Sequence, residues 1–219
     1  MPAGPTAPST NTGPSSGLNR RQCLCLAAAA LGAPQVATAA SGADEKAFFD
    51  ALRQGGCVVL MRHALTEPGI GDPPGFTLGR CATQRNLSEA GRQQARRVGE
   101  AFAREGFALA AVRSSAWCRC TDTARLAFGR YTEWAALNSF FQGQGNADAQ
   151  TREVLIAVAG LRAPQNWILV THQVNISALT GEFPAMGELF LARPSANSGE
   201  RLRVVGRWGN PPNLSRALV

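Results

Sequence analysis

Two uninterrupted apolar runs of strand length stand out along the chain, Cys57-Val-Val-Leu-Met61 and Trp167-Ile-Leu-Val170. Such runs belong to strands buried on both faces, the position of the central strands of a parallel sheet. The segments between them read as helices and shorter strands. Residues 44–54 predict a short helix with Phe48, Phe49 and Leu52 on its apolar side, closed by Gly55-Gly56. Ser88 suits a helix N-cap. Leu87, Ala90, Ala95, Val98 and Phe102 follow at three- and four-residue steps, with arginines and glutamines on the opposite side, so a helix is expected to end near Gly106. Further on, the pattern predicts a strand over 109–113, a helix over 117–128 and a strand over 133–137. Val154, Leu155, Val158 and Leu161 mark a helix closed by Pro164, and a short helix covers 174–179. Strands around 189–192 and 202–205 complete the set. Residues 66–86 contain Pro, Gly, Asp and Thr without periodicity, and a loop of that length inside a compact domain is often functional. Strands alternating with helices at this spacing imply an α/β fold: a three-layer sandwich with a mainly parallel sheet and helices on both faces.

The first forty residues have another character. Residues 1–18 are rich in Pro, Ser, Thr and Gly, a composition that cannot bury a core. Arg20-Arg21 then precede an apolar run from Cys23 to Ala33 and an Ala37-Thr38-Ala39 pattern. A positive region, a short apolar region and a small-residue cleavage pattern make a secretory signal, and the paired arginines resemble a twin-arginine signal. The expectation is therefore a leader over 1–40, cleaved near Ala39, and a single domain over 41–219 exported to the periplasm or secreted. The apolar run is about half the roughly 20 residues of a membrane span, so no stable membrane anchor is expected.

The chain carries a net charge of +7, and Lys46 is its only lysine. An arginine-rich surface suits anionic ligands. No basic run is interleaved with aromatics, so nucleic acid is not expected as a partner. Four cysteines follow the leader: Cys57, Cys81, Cys118 and Cys120. None forms a C-x-x-C pair, so neither a zinc ribbon nor a thioredoxin motif is suggested. Cys57 reads as a core residue. Export permits a disulfide, with Cys81 to Cys118 or to Cys120 as the open pairings.

Chemistry concentrates at the ends of the two apolar runs. The only histidines, His63 and His172, each follow one of them, as Arg62-His63 and Thr171-His172. Ligand sites in open parallel sheets collect beyond the carboxyl ends of the strands, so both imidazoles are expected to face one pocket. The predicted strand over 109–113 runs into Ser114-Ser115 and then Arg119, which brings Arg62 and Arg119 to the same place. Arginines present flat, permanently charged forks to phosphate oxygens. A neutral imidazole beside a bound phosphate is a competent nucleophile.

Four segments in order carry a resemblance: Leu60-Met-Arg62-His63-Ala-Leu-Thr66, Leu87-Ser-Glu-Ala-Gly91-Arg-Gln-Gln94-Ala95, Ser114-Ser115-Ala-Trp-Cys-Arg119-Cys-Thr-Asp-Thr123-Ala124 and Val170-Thr171-His172. Together they resemble the histidine phosphatase superfamily, over roughly 56–191. The resemblance implies that His63 accepts the phosphoryl group and that Arg62, Arg119 and His172 hold its oxygens. It implies a small phosphorylated substrate, no cofactor and no metal. Ser114, Ser115 and Thr66 read as turn and cap residues, with Thr66 also a candidate phosphate contact.

The general acid departs from the family pattern. Ser139 stands where some members carry a glutamate, and Gln173 where others carry an aspartate after the second histidine. Glu188 is the candidate substitute, with Glu67 and Asp72 behind it. The expected function is hydrolysis of a phosphomonoester or related phosphate compound through a phosphohistidine on His63. The rival from another class is a catalytically weak phosphate- or phosphosugar-binding protein.

Overall fold

A computed structural model describes residues 38–107, 109–195, 197 and 199–209. Of the leader and export signal read over residues 1–40, residues 1–37 lie outside the described residues. Helix α1 (Thr38–Arg53) starts within the stretch read as the cleavage pattern, earlier than the periodicity suggested. Its Phe48, Phe49 and Leu52 are buried as expected.

The first apolar run forms β1 (Cys57–Arg62) and the second β4 (Asn166–Thr171). Between them lie α2 (Glu89–Arg104), β2 (Ala111–Ser114), α3 (Cys118–Phe128), β3 (Thr132–Glu133) and α4 (Ala147–Val158). After β4 come α5 (Gln173–Thr180), β5 (Leu189–Arg193) and β6 (Arg203–Trp208). Among the described residues, six strands form one sheet in the order β3-β2-β4-β1-β5-β6. Strands β3, β2, β4 and β1 run parallel, whereas β5 and β6 add to the β1 side antiparallel.

The continuous apolar character of β1 follows from two packed faces. Cys57, Val59 and Met61 join a core with Phe48, Val98 and Ala124 from α1, α2 and α3. Val58 and Leu60 point the other way, into a core with Val154, Val158 and Ile176 from α4 and α5. Helices therefore cover both faces, as the sequence implied.

Two strands differ from the sequence reading. The strand expected over 133–137 is only the two-residue β3, followed by a 3-10 turn at Ala135–Leu137. Ala136 and Leu137 are buried in that turn, against the α4 side of the sheet. Burial there is met by a tight turn, which a short apolar run does not distinguish from a strand. Strand β2 begins two residues later than expected and includes Ser114.

The long loop after β1 is tied down by a disulfide. Cys81, in a 3-10 turn at Cys81–Thr83, bonds to Cys118 at the start of α3 across 37 residues, while Cys57 and Cys120 are buried free thiols. This resolves the two pairings left open by the sequence. Closing a loop of this length restricts the unfolded chain by about 3–4 kcal/mol. Replacing both Cys81 and Cys118 by serine is expected to lower unfolding free energy by about that amount. Urea titration of the two proteins checks this, and coincident curves would show that the cross-link constrains nothing.

Candidate active site

Strand register brings the two histidines together. Arg62 of β1 lies opposite Thr171 of β4 in parallel register, so His63 and His172 leave adjacent strands at the same level. The backbone N–H of His63 donates to the Thr171 carbonyl (3.0 Å). Their rings stand 5.6 Å apart, edge to face. Arg119, on the first turn of α3, is buried and reaches the same spot, its Nη2 3.5 Å from His172 Nδ1. A cavity of about 330 Å³ opens over these groups, and its titratable lining consists of Arg62, His63, Asp72, Arg85, Arg119 and His172.

The segment after His63 is held by the first turns of α2. Ser88 accepts from the Gly91 N–H as N-cap, and its own N–H donates to the Leu65 carbonyl (3.1 Å). Gln94 accepts from the Leu65 N–H (3.0 Å) and donates to the Met186 carbonyl (3.1 Å). A Cβ at Gly91 would lie 1.8 Å from the Leu65 carbonyl oxygen, so only glycine lets the helix approach this closely. Behind, the Gly187 N–H donates to the carbonyls of Arg62 and His63 (3.2 and 3.0 Å). The Leu87–Ala95 motif thus works as a clamp on the chain that carries the nucleophile candidate.

Both imidazoles have defined hydrogen-bond roles. His63 Nδ1 lies 2.9 Å from the Ala64 carbonyl, which can only accept. Nδ1 therefore carries the hydrogen and Nε2 keeps its lone pair. His172 Nδ1 faces the donor-only Arg119, so its Nε2 carries the hydrogen and donates to Ser115 Oγ (2.8 Å). Ser115 Oγ in turn donates to Asn138 Oδ1 (3.2 Å). Burial first, and Arg119 next, holds both imidazoles well below the ordinary histidine range, so both are neutral at pH 7. Cys120 Sγ is 3.5 Å from His172 Nε2, and burial pushes that thiol up to about 12, so it packs there as a neutral group.

The arginines carry unused donors. Arg62 Nη1 donates to the Pro184 carbonyl (2.9 Å), and Arg119 Nη1 pairs with Asp72 (2.7 Å), but the Nε–H of each is buried without a partner. Unpaired buried donors are costly, and both belong to side chains that line the cavity.

Of the site residues expected from sequence, Arg62, His63, Arg119 and His172 converge. Thr66 does not line the cavity. Its hydroxyl accepts from Arg85 Nη1 (2.6 Å), so it supports a guanidinium one step away. Glu188 is also absent from the lining. Its carboxylate accepts from the Ala185 N–H (2.7 Å) and faces Arg207 (3.9 Å), which turns it away from the imidazoles. Ser139 borders the cavity and accepts from the Phe141 N–H. Sequence reasoning did not single out Arg85, whose only signal was its place in the long loop, or the Ser115–Asn138 support of His172.

Residues 58–140 match the model of the histidine phosphatase superfamily, branch 1. The match lies within the span over which the four sequence segments resemble that superfamily. The matched segment holds Arg62, His63 and Arg119, and His172 follows it in the position that strand register dictates. The fold is shared with several solved structures. One is a mycobacterial glucosyl-3-phosphoglycerate phosphatase, 15% identical with a TM-score of 0.52, over 71% of this chain and 99% of that one. Another is an open reading frame product from Mycobacterium tuberculosis, 15% identical with a TM-score of 0.51, over 70% and 98%. A third is YhfR of Bacillus stearothermophilus, 16% identical with a TM-score of 0.50, over 68% and 95%. At these identities the likeness concerns the fold. The sequence matches no curated protein.

Proposed function

We propose that this protein is a histidine phosphatase that hydrolyses a phosphomonoester or related phosphate compound through a covalent phosphohistidine on His63. The match of residues 58–140 to the superfamily model supports phosphatase-type activity on a small phosphorylated substrate. One observation carries the finer reading: a neutral His63, with Nε2 bare, faces His172 across a cavity lined by three guanidiniums. Arg62, Arg119 and His172 hold the phosphoryl oxygens and offset the charge that builds in the transition state. The Nε2 lone pair forms the N–P bond as the ester P–O bond breaks, and the leaving oxygen departs with the bonding pair and takes its proton from solvent water. Water then attacks phosphorus, releasing phosphate and restoring the Nε2 lone pair. A pocket that served only to hold phosphate would gain more from a charged imidazole than from a neutral one, which counts against the binding-protein alternative.

The twin-arginine pattern supports export to the periplasm, and the Cys81–Cys118 disulfide accords with an oxidising compartment.

Proton supply shapes the substrate preference. Asp72 is the only carboxylate in the described cavity lining, and its two oxygens accept from Arg119, the Arg85 N–H and Trp117 Nε1. Both oxygens are thus engaged as acceptors from the protein's own donors, and neither is turned to a leaving group. Leaving groups that depart unaided are therefore expected to react fastest. Across a series of phosphate esters, kcat for an aryl ester such as p-nitrophenyl phosphate is expected to exceed that for an alkyl ester by on the order of 10²–10⁴, the factor a positioned acid otherwise supplies. Similar kcat values across the series would show that an acid operates in this pocket.

A further inference from the structure

We propose that Asp72 is a built-in counter-anion that sets the charge of the phosphate pocket and keeps product phosphate from being held too tightly. The inference rests on the phosphatase reading of the same site. Asp72 and Arg119 come from segments 47 residues apart, and both side chains are only 5% exposed. Asp72 Oδ1 accepts from Arg119 Nη1 (2.7 Å) and from the Arg85 N–H (3.0 Å), while Oδ2 accepts from Trp117 Nε1 (3.0 Å). The carboxylate therefore spans the loop, the strand-to-helix turn and the phosphate-binding helix.

Charge counting shows what it does there. The lining groups are three guanidiniums, two neutral imidazoles and this one carboxylate. The balance is two positive charges, the complement of a phosphomonoester carrying close to two negative charges above its second pKa of about 6, or of inorganic phosphate in its doubly charged form. Without Asp72 the same cavity would hold three unbalanced guanidiniums. That arrangement would favour more highly charged ligands and slow the release of phosphate.

Placement on the guanidinium matters as well. Asp72 takes Nη1, and His172 faces Nη2, so the Nε–H remains buried and unpaired. The Nε–Nη2 edge is the one a phosphate can grip with two parallel hydrogen bonds. Asp72 thus fixes the rotation of Arg119 from one corner while leaving its forked edge to the ligand. Acting through Arg119 and the pocket field, it is a positioning and charge-setting residue and need not touch substrate.

Inorganic phosphate and methylene diphosphonate, a more highly charged analogue that is not hydrolysed, are the probes. Their binding to the full chain and to Asp72→Asn is measured by calorimetry at pH 8, with kcat from p-nitrophenyl phosphate. The substitution is expected to tighten phosphate binding by about tenfold, a modest share of what removing a charge near an anion can do. It should tighten the diphosphonate by more and lower kcat through slow release. Weaker or unchanged phosphate binding in a folded Asp72→Asn protein overturns the proposal, because a merely structural carboxylate or a general acid would give that result. Should the variant not fold, the unaltered protein still decides. Diphosphonate binding no tighter than phosphate supports a balanced pocket, and much tighter diphosphonate binding overturns it. Failure of the unaltered protein to bind phosphate at all would instead overturn the phosphatase reading on which the proposal stands.

Discussion

Replacing His63 by alanine is expected to lower kcat for p-nitrophenyl phosphate by on the order of 10⁴-fold or more, without loss of phosphate binding. The magnitude follows from its place in the reaction. The nucleophile splits one displacement into two, and without it water must attack the ester directly. His172 cannot take over, since its Nδ1 faces Arg119 and its Nε2 hydrogen is given to Ser115. Alanine leaves Arg62, Arg85 and Arg119 in place, so the oxyanion site persists. Fold is not at stake either: the backbone around His63 is held by Thr171, Gly187 and the α2 clamp, none of which uses the imidazole. Activity in the alanine protein within tenfold of the parent would remove His63 from the chemistry.

Arg119→Ala is expected to damage both activity and stability. Removing one preorganised donor to a developing oxyanion costs about 10²–10³ in kcat. The structural cost comes from the partner left behind. Asp72 would keep its Arg85 N–H and Trp117 contacts but lose its ion pair with Arg119 while almost fully buried. Breaking a buried pair from one side costs about 3–5 kcal/mol. The double variant Arg119→Ala with Asp72→Asn should recover part of that stability and none of the activity. Urea denaturation alongside kinetics separates the two effects. A single variant as stable as the parent would mean that Asp72 is solvated in solution.

Much of the fold could be read because its central strands are buried on both faces. Continuous runs such as Cys57 to Met61 carry that information without any neighbour in view, and the histidines following them inherit a position from the parallel register. Strand direction at the far edge could not be read: the buried run in β5 looks the same whether it pairs parallel or, as here, antiparallel with β1. Nor could β3, where Leu137 is buried in a 3-10 turn instead of an extended chain.

The site divides along the same physical line. Arg62, His63 and His172 sit on strand ends and Arg119 on the first turn of a helix, so local pattern places them. Asp72 and Arg85 belong to an aperiodic loop, and their roles appear only when the loop closes onto α3, fastened by Cys81 and Cys118. Glu188 illustrates the converse. Proximity to a strand end suggested it as the acid, yet the turn at residues 185–188 captures its carboxylate with a backbone N–H before it can reach the pocket.

The central claim, a phosphoryl group carried on His63, is tested most directly by trapping it. The full chain is mixed with substrate, quenched into alkali, where a phosphorylated imidazole survives, and digested for mass spectrometry. A phosphoryl group on the His63 peptide, lost on brief acid treatment and absent from His63→Ala, is the expected result. Steady turnover with no such adduct, or with phosphate on a serine or carboxylate that survives acid, would contradict it.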